Sequence, residues 1–468
     1  MENIYEKFLE SSGVSIDSRN CPKDAMFIGI KGANFDGNTF VEKALEQGCK
    51  YAITDNAEIG VGNPNIIHVE DSLKTLQDLA HYHRMMFDIP VIGITGTNGK
   101  TTSKELISTV LSKEYNVLYT QGNLNNHIGV PLTLLRLNRS HNIAVVEMGA
   151  NHPKEIEFLC KIARPNYGII TNVGKAHLEG FGSFEGVKKT KGELYDFIKS
   201  VDGKIFLHAD NSHLCEMVYS GTSTSSVTEI ANPDTEPVEV SMTGGNNVTE
   251  FANALEIIKY GESEENFVSG NILSCTPYIN VELRLNGNAS GEKTSYKIET
   301  NLIGDYNLSN ILSAACIGRY FGVMDEEIVS ALQEYTPTNN RSQCTRTEKN
   351  TLIVDAYNAN PTSMEAALKN FSKIETTSGK VLILGDMKEL GEDSEAEHNK
   401  VLALIKSLGF TKAYFVGSEF AKVADSEFAC FENVESLAEY FSQNPISDST
   451  ILIKGSNSTR LTKIVDSL

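Results

Sequence analysis

Short apolar runs alternate along the chain with stretches of helical pattern. In the middle of the chain the apolar runs are NIAVVEMG, YGIITNV and KIFLHAD, and towards the end they are TLIVDAY, KVLILGD, AYFVGS and TILIKGS. Runs of this length predict buried strands, and the stretches between them predict helices. Because alternating strands and helices are typical of β-α-β units, we predict an α/β protein with mostly parallel sheets.

Three blocks of this kind divide the 468 residues. Residues 1–88 contain AMFIGI and YAITD as short strands and predict a small α/β N-terminal domain. Residues 89–336 predict a central domain with a phosphate loop, a mostly parallel sheet and an antiparallel hairpin made by YINVELRLNG and TSYKIETNLIG. Residues 337–468 predict a smaller C-terminal Rossmann-like domain. The polar stretch 219–250 predicts a surface insertion.

The composition excludes several classes of partner. The chain has 61 acidic and 41 basic residues and a formal net charge of −20, which argues against binding nucleic acid or an anionic membrane. The eight cysteines are scattered without a C-x-x-C pair, so we expect reduced thiols and neither a disulfide framework nor a zinc site. The chain begins without a signal-peptide pattern and has no apolar run long enough to cross a bilayer. We therefore expect a cytoplasmic protein without membrane insertion.

The stretch VIGITGTNGKTT gathers glycines, a lysine and threonines between a predicted strand and a predicted helix. Such glycines let backbone N–H groups turn towards a phosphate, the lysine can reach β- and γ-phosphates, and a threonine hydroxyl can bind Mg²⁺. The pattern is a variant of G-x-x-x-x-G-K-[ST], with Ile94 in place of the first glycine, and a chance strand-turn-helix is the alternative. The predicted ATP-binding residues of this loop are Gly96, Thr97, Asn98, Gly99, Lys100, Thr101 and Thr102.

Three side chains elsewhere in the central block suit metal or phosphate chemistry. Glu147 ends a predicted strand, where a carboxylate is well placed to hold Mg²⁺, although most glutamates at strand ends are simply solvated. His177 lies in the glycine-rich stretch TNVGKAHLEGFGS, and Lys191 follows in TKGEL. An isolated histidine is more often a hydrogen-bonded structural group than a ligand, but the surrounding glycines indicate a loop of the kind that forms sites.

Polar residues later in the chain suit the other parts of a nucleotide. Asn307 and Asn310 lie three positions apart at the start of a predicted helix, so both amides can share one face and meet an adenine edge; helix capping is the alternative. Arg341 suits a phosphate and Asp355 suits ribose hydroxyls, with a surface salt bridge as the alternative for each. The strand end at DAYNAN adds two further polar side chains, Tyr357 and Asn358.

The motifs TGTNGKTT, TNVGKAH, KGEL, GDYNLSN, NNRSQ and DAYNANPTS, in this order, resemble those of the Mur ligases, ATP-dependent enzymes that build the peptide of peptidoglycan precursors. GNLNNHIGVPLTLL, EMGANHPKEI, AYNANPTSMEAAL and LGDMKELGEDSEAEH are similar to the members that join D-alanyl-D-alanine to UDP-N-acetylmuramoyl-tripeptide. The Asp-Asn-Pro-Arg motif of the member that adds a diamino acid is absent. The resemblance covers nearly the whole chain outside 219–260.

This resemblance implies a peptide ligase that acts through an acyl phosphate and gives UDP-N-acetylmuramoyl-pentapeptide, ADP and phosphate. It also implies that Lys100 and the loop amides hold the β- and γ-phosphates of ATP, and that Thr101 and Glu147 hold one Mg²⁺. His177 and a carbamylated Lys191 would hold a second. The remaining ATP contacts that the resemblance implies are Asn307, Asn310, Arg341, Asp355 and Tyr357.

The first block, through DSRNCPKDAMFIGIKGANFDGNTF, is similar to the family's uridine-nucleotide-binding segment. The chain departs from the family pattern at Tyr306, where a histidine is usual. The substrate-binding residues that the resemblance implies are Ser18, Arg19, Lys31, Gly32, Asn34, Phe35, Asp36, Gly37, Asn123, Asn126 and Asn358.

We expect a monomer. Two alternative functions stay open: a related ligase with another acceptor, and a nucleotide-binding homologue without activity.

Overall fold

The structure, a computed structural model, describes residues 1–219, 227–230, 238–240, 255–286, 294–338 and 341–468. Three mostly parallel sheets, each with its own helices, follow one another along the chain and confirm the predicted α/β class. Most of the predicted insertion at 219–250 lies outside the described residues. Over the described ranges, every helix is too short or too polar to cross a bilayer.

The first region contains a small parallel sheet. Asp71 starts its longest helix by accepting a hydrogen bond from the Lys74 N–H (2.8 Å). The strands lie in the order Val14–Ser15, Met26–Ile28, Tyr51–Thr54 and Ile66–His68. The helices are Glu2–Leu9, Val41–Glu46 and Ser72–Arg84, with a 3-10 helix at Gly37–Phe40 and a separate hairpin of Lys31–Gly32 and Phe35–Asp36.

A disulfide joins Cys21 to Cys49, so the expectation that all cysteines are reduced is wrong for this pair. Each cysteine lies shortly before a strand, and the two strands, Met26–Ile28 and Tyr51–Thr54, are neighbours in the sheet. The fold therefore brings together two residues that are 28 positions apart. The described free cysteines are Cys160, Cys215, Cys275, Cys316, Cys344 and Cys430.

The central region is built on a large sheet that is parallel except along one edge and in the pairing of Val227–Ile230 with Val238–Val240. Its described strands, from that edge, are Thr294–Ile303, Tyr278–Leu285, Val268–Cys275, Leu255–Gly261, Lys204–His208, Tyr167–Ile170, Val91–Thr95, Ile143–Glu147 and Val117–Tyr119. Val227–Ile230 pairs with Leu255–Gly261 and with Val238–Val240. The predicted hairpin is confirmed, because Tyr278–Leu285 and Thr294–Ile303 pair antiparallel.

Helices cover both faces of this central sheet. Along Ile143–Glu147, Ala144 and Val146 enter one core while Ile143 and Val145 enter the other. Strands buried on both faces are apolar throughout, which is why the sequence shows continuous runs instead of alternation. One face carries Lys100–Leu111, Leu308–Tyr320 and Asp325–Glu334, and the other carries Gly129–Leu134, Glu155–Ala163, Leu178–Phe181, Phe184–Ser200 and Ser212–Tyr219.

The third region repeats the strand–helix alternation on a smaller scale. Its described strands lie in the order Gln343–Arg346, Asn350–Asp355, Ser449–Lys454, Gly379–Gly385, Ala413–Val416 and Ala429–Phe431, and pairing is parallel except between the first two. The helices are Pro361–Lys373, Ser394–Ser407, Ser418–Val423 and Val434–Gln443. Short 3-10 helices span Asp305–Asn307 in the central region and Gly391–Asp393, Asn457–Thr459 and Leu461–Ser467 here.

Candidate active site

The phosphate loop joins the strand Val91–Thr95 to the helix Lys100–Leu111. Gly99 caps the helix with φ 79°, a left-handed conformation that glycine adopts without strain. A side-chain carbon at Gly99 would lie 2.8 Å from the amide oxygen of Asn310, so space as well as backbone requires a glycine. The helix N-terminus behind this turn is a favourable place for phosphate.

Lys100 folds back over the loop. Its Nζ donates hydrogen bonds to the carbonyls of Gly96 (2.7 Å) and Thr97 (3.1 Å). Burial lowers the pKa of Lys100 to about 8, and the nearby Glu147 opposes that shift. Because both hydrogen-bond partners are neutral carbonyls, phosphate oxygens arriving here would give the ammonium full negative charges in their place.

Thr101 and Glu147 form a buried pair beside the loop. The Thr101 hydroxyl lies 3.0 Å from Glu147 Oε2, and only 3% and 1% of the two residues' surfaces are exposed. Asn125, which sequence reasoning did not single out, donates from Nδ2 to Glu147 Oε1 (2.8 Å) and fixes the carboxylate. Hydroxyl and carboxylate oxygens are the ligands that Mg²⁺ prefers, so this pair fits a hard divalent cation next to phosphates.

His177 reaches across to the third region. It precedes the short helix Leu178–Phe181 in a left-handed conformation (φ 52°), and its Nδ1 pairs with the carboxylate of Glu389. Contact with His177 lowers the pKa of the Glu389 carboxyl. The glycine-rich loop therefore carries a histidine whose one ring nitrogen is held by another part of the chain.

Lys191 is buried in the helix Phe184–Ser200, with 2% of its surface exposed. Its Nζ donates to the carbonyl of Ala150 (3.3 Å) and lies 5.4 Å from the centre of the Phe181 ring. Burial, and secondly the charge of Lys100, lower the pKa of Lys191 well below its ordinary value. The buried site thus favours a neutral amine.

Asn307 and Asn310 form a hydrogen-bonded pair. Asn310 Nδ2 donates to Asn307 Oδ1 (2.8 Å), Asn307 Nδ2 donates to the Ile303 carbonyl (2.8 Å), and the Ser103 hydroxyl donates to Asn310 Oδ1 (2.9 Å). Asn307 occupies the cap position of the helix Leu308–Tyr320 without a side-chain capping bond, so capping does not account for it. These bonds fix the direction of both amides, and the adenine contact stays a prediction.

The polar residues of the third region form a second cluster. The Arg341 guanidinium lies 3.9 Å from the centre of the Tyr357 ring, and its buried Nε has no hydrogen-bond partner among the described residues. Asp355 Oδ2 accepts a hydrogen bond from Lys454 Nζ (2.5 Å), which also donates to the Asn358 carbonyl (3.2 Å). Sequence reasoning missed Lys454, because its partner lies 99 positions away.

A cavity of about 700 Å³ brings most of the predicted residues together, and this volume is typical of small-molecule sites. Gly96 and Lys191 do not line it, but Ala150, the hydrogen-bond partner of Lys191, does. The predicted residues on its walls are Thr97, Asn98, Gly99, Lys100, Thr101, Thr102, Asn123, Asn126, Glu147, His177, Asn307, Asn310, Arg341, Asp355, Tyr357 and Asn358.

The predicted residues of the first region lie elsewhere. All of them are described, and none lines the cavity. Most lie on or beside the hairpin of Lys31–Gly32 and Phe35–Asp36, where the exposed Phe35 ring stacks on Phe40 (5.7 Å). Arg19 is exposed and bonds to Asp17 (2.8 Å). These residues form a separate surface, and their contact with uridine nucleotide stays a prediction.

The central and third regions meet at the phosphate loop. Asn360 Nδ2 donates to Asn98 Oδ1 (2.8 Å), and Asn98 Nδ2 lies 3.4 Å from Asn360 Oδ1. Nearby, Lys175 Nζ contacts Glu397 Oε1 (3.1 Å). Asn360 also accepts from the Ser363 N–H (2.9 Å) and so caps the next helix. The cavity therefore lies between two regions, and its shape depends on their contact.

In the described part of the chain, histidine, cysteine and acidic side chains do not gather in groups of three or more that could hold a metal ion. The Thr101–Glu147 pair is thus an incomplete set of ligands by itself. Mg²⁺ usually keeps several waters and binds through one or two protein groups plus substrate phosphates. Two protein ligands beside a phosphate loop are therefore enough for a Mg²⁺ site.

Comparisons with known proteins show what the chain as a whole is similar to. Residues 10–84 match the Mur ligase family catalytic domain, 94–318 the Mur ligase middle domain, and 340–457 the Mur ligase glutamate ligase domain. The UDP-N-acetylmuramoyl-tripeptide–D-alanyl-D-alanine ligase of Bacillus subtilis (strain 168) is 31% identical over 97% of this chain and 93% of the relative. The ligase of the same name from Escherichia coli (strain K12) is 30% identical, with the same two coverages.

Solved structures show the same architecture. A crystal structure of MurF from Acinetobacter baumannii gives a TM-score of 0.82 at 26% identity, over 100% of this chain and 98% of that one. MurF ligase from Thermotoga maritima, in complex with ADP, gives a TM-score of 0.79 at 23% identity, over 98% of this chain and 97% of that one. At this identity the similarity is one of fold.

The fold and the site define a P-loop enzyme with a cavity between two α/β regions. The match to three consecutive domain models and to full-length relatives specifies the class further. The chain belongs to the Mur ligase family, as the motifs in the sequence predict.

Proposed function

We propose that this chain joins D-alanyl-D-alanine to UDP-N-acetylmuramoyl-tripeptide with cleavage of ATP, in the cytoplasmic synthesis of peptidoglycan precursors. Full-length relatives bear the name of this activity. The observation that carries the proposal is the cavity, because it unites a phosphate loop with the polar cluster of a second region. Such an arrangement suits an ATP-dependent ligation that must exclude water.

The chemistry requires activation of a carboxylate. A carboxylate does not react with an amine near neutral pH, because the departing group would be an oxide. Attack of the tripeptide's terminal carboxylate oxygen on the γ-phosphorus of ATP breaks the bond to ADP and gives an acyl phosphate. The dipeptide amine then attacks the acyl carbon and loses a proton, and phosphate leaves as the amide forms. The protein's part in both steps is positioning and charge stabilisation.

The residues of the cavity have separate roles in this proposal. Lys100 and the loop amides bind the β- and γ-phosphates, and Arg341 adds a second cation at the phosphates. Asp355 accepts hydrogen bonds from the ribose, and the Asn307–Asn310 pair meets the adenine edge. Thr101 and Glu147 would hold Mg²⁺, which supplies neutralisation of the phosphate charge.

Lys191 and His177 are proposed as ligands of a second cation. An ammonium has no lone pair to give to a metal, whereas a carbamate is a carboxylate-like anion. The amine nitrogen attacks the carbon of CO₂, the N–C bond forms, and the amine loses a proton. The buried position of Lys191 and its lowered pKa support this proposal, because only the neutral amine reacts.

We further propose that residues 1–88, 89–336 and 337–468 are separate domains, and that the enzyme acts as a monomer. Each of the three mostly parallel sheets falls within one of these spans. Light scattering on the purified protein, with and without substrates, tests the monomer.

An acceptor panel tests the function. Purified protein is mixed with ATP, UDP-N-acetylmuramoyl-tripeptide and one acceptor. The ADP formed is measured, and the new peptide is identified by mass spectrometry. We expect pentapeptide with D-alanyl-D-alanine and little product with D-alanine, D-glutamate or L-alanyl-L-alanine. Preference for another acceptor would indicate a related ligase. Nucleotide binding without product under any acceptor would indicate a homologue without activity.

A further inference from the structure

Lys454 is a buried lysine at the edge of the cavity. It ends the strand Ser449–Lys454, is 1% exposed, and contributes to the cavity wall. Its Nζ donates to Asp355 Oδ2 (2.5 Å) and to the Asn358 carbonyl (3.2 Å). The proposed chemistry gives this ammonium no contact with the reacting atoms, so its position needs another explanation.

The sheet itself builds this pair. Asn350–Asp355 and Ser449–Lys454 are parallel neighbours, and the register places Asp355 directly opposite Lys454 at their carboxyl ends. Burial of an ammonium is strongly unfavourable unless it is paired and hydrogen-bonded. Lys454 meets this condition through Asp355 and Asn358, so the lysine and the carboxylate hold each other in place.

The two hydrogen bonds hold both ends of the turn at residues 355–358. Asp355 Oδ2 is occupied, while Oδ1 has no hydrogen-bond partner in the part of the chain that the structure describes. Within the turn, the Tyr357 ring packs against the Arg341 guanidinium. Lys454 thus engages one carboxylate oxygen of a cavity-lining residue, leaves the other without a partner among the described residues, and fixes the turn that supports Arg341.

We infer that Lys454 is a positioning residue for nucleotide recognition, which orients the Asp355 carboxylate so that its free oxygen accepts hydrogen bonds from the ribose hydroxyls. The inference rests on the proposed function only in that a nucleotide binds in this cavity, and it does not depend on the acceptor. Without the ammonium, the carboxylate rotates about its side-chain bonds and the ribose loses a fixed partner. Recognition of the sugar then weakens by more than the binding of the phosphates does.

Calorimetry with ADP, 2′-deoxy-ADP and 3′-deoxy-ADP tests this directly. The unmodified protein is expected to prefer ADP over at least one deoxy analogue by about tenfold or more, as for a hydrogen bond to a charged group. Lys454→Met keeps the length of the side chain and removes the charge, and it should bring that ratio close to one. Asp355→Asn should do the same, and the double variant should lose no more. Lys463→Met, an exposed lysine of the same region paired with Glu435, is the matched control and should keep the ratio.

The ratio separates positioning from folding, because a merely structural role would weaken all three nucleotides equally. An unchanged ratio in Lys454→Met, or no preference for ribose in the unmodified protein, would overturn the inference. Should Lys454→Met fail to fold, Lys454→Gln and Lys454→Arg give the same test, with a lower ratio expected in both. A failed acceptor panel together with a lost ribose preference in these variants would reject the proposed function and support the inference.

Discussion

His177 of the central region and Glu389 of the third region pair through the imidazole Nδ1 and a carboxylate oxygen. Both residues have left-handed backbone (φ 52° and 62°), and the Glu179 N–H donates to the Glu389 carbonyl (3.3 Å). Side-chain and backbone contacts therefore both hold the glycine-rich loop against the third region. Metal-binding histidines commonly have their second ring nitrogen bonded to a carboxylate, which fixes the ring. Here that carboxylate comes from another region, so the ring is fixed only while the two regions are in contact.

Glu389→Gln should lower kcat by about 10- to 100-fold, the usual cost of losing such a partner. The amide keeps the size of the side chain but removes the charge that fixes the His177 ring. KM for the UDP-peptide should change little, because Glu389 lines the cavity and the predicted uridine-nucleotide-binding residues of the first region lie outside it. Steady-state rates of ADP formation measure the effect, and the exposed Glu392→Gln in the same segment is the control. Unchanged kcat in Glu389→Gln contradicts the role.

Affinity for ADP should fall above pH 8. Burial lowers the pKa of Lys100 from 10.5 to about 8, and phosphate binds the ammonium form. Above pH 8 the free protein must take up a proton to bind, so the Kd should rise by up to about tenfold per pH unit. Calorimetry from pH 7 to 9.5 measures this slope.

Stability responds to Lys100 in the opposite sense. In the unfolded chain Lys100 keeps its proton up to about pH 10.4, whereas in the folded protein it loses the proton near pH 8. Folding therefore releases a proton between these two pH values. As a result, the buried lysine destabilises the folded protein less as the pH rises. Lys100→Ala should abolish turnover, raise the unfolding temperature at pH 7 because the buried ammonium is gone, and remove the slope in ADP binding. Normal ADP production by this variant would mean that the loop does not hold the phosphates.

Lys191→Ala should lose nearly all activity and recover part of it with small carboxylates such as acetate. Lys191→Arg should be inactive, because a guanidinium cannot form the carbamate. Turnover is measured with sodium acetate against sodium chloride at equal ionic strength, and Lys189→Ala, an exposed neighbour on the same helix, is the control. A ¹³C NMR signal for the carbamate under labelled CO₂ gives a second readout. Substantial activity in Lys191→Arg, with no effect of acetate, would instead favour a lysine that binds phosphate as a cation.

Arg19→Ala should raise KM for the UDP-peptide by about tenfold or more, as expected for loss of a charged hydrogen bond, and change KM for ATP much less. The two KM values should respond differently because Arg19 lies in the first region, outside the cavity that the phosphate loop lines. Initial-rate kinetics with each substrate varied in turn measures both constants. Arg139→Ala removes an exposed arginine of the central region and serves as the control. Equal increases in the two constants would argue against separate sites.

Much of the fold could be predicted because strands buried on both faces leave long apolar runs. Ile143–Glu147 and Ser449–Lys454 are buried throughout, and both stand out in the sequence. The phosphate loop was equally visible, since Gly99 and Lys100 depend on local backbone geometry. The Cys21–Cys49 bond was not, because its partners meet through strand order and have no characteristic spacing.

The missed residues of the site depend on contacts that only the folded chain reveals. Asn125 lies between two asparagines that were predicted, and nothing local distinguishes the one that reaches Glu147. Glu389 and Lys454 act on partners in distant parts of the sequence. Residues whose role is to hold another side chain therefore need the tertiary structure, whereas the phosphate-loop residues proposed to bind ATP could be predicted from the local sequence.

The central and third regions meet at the phosphate loop through the neutral side-chain amides of Asn98 and Asn360, and water can readily replace the hydrogen bonds between them. Each neutral hydrogen bond contributes only about 1 kcal/mol net of water, and neither amide carries a charge that salt can screen. Water can therefore replace this contact at every cycle at little cost, at low or high ionic strength. Salt should therefore alter the Asn98–Asn360 contact less than it alters the Lys175–Glu397 ion pair, which joins the same two regions beside the loop.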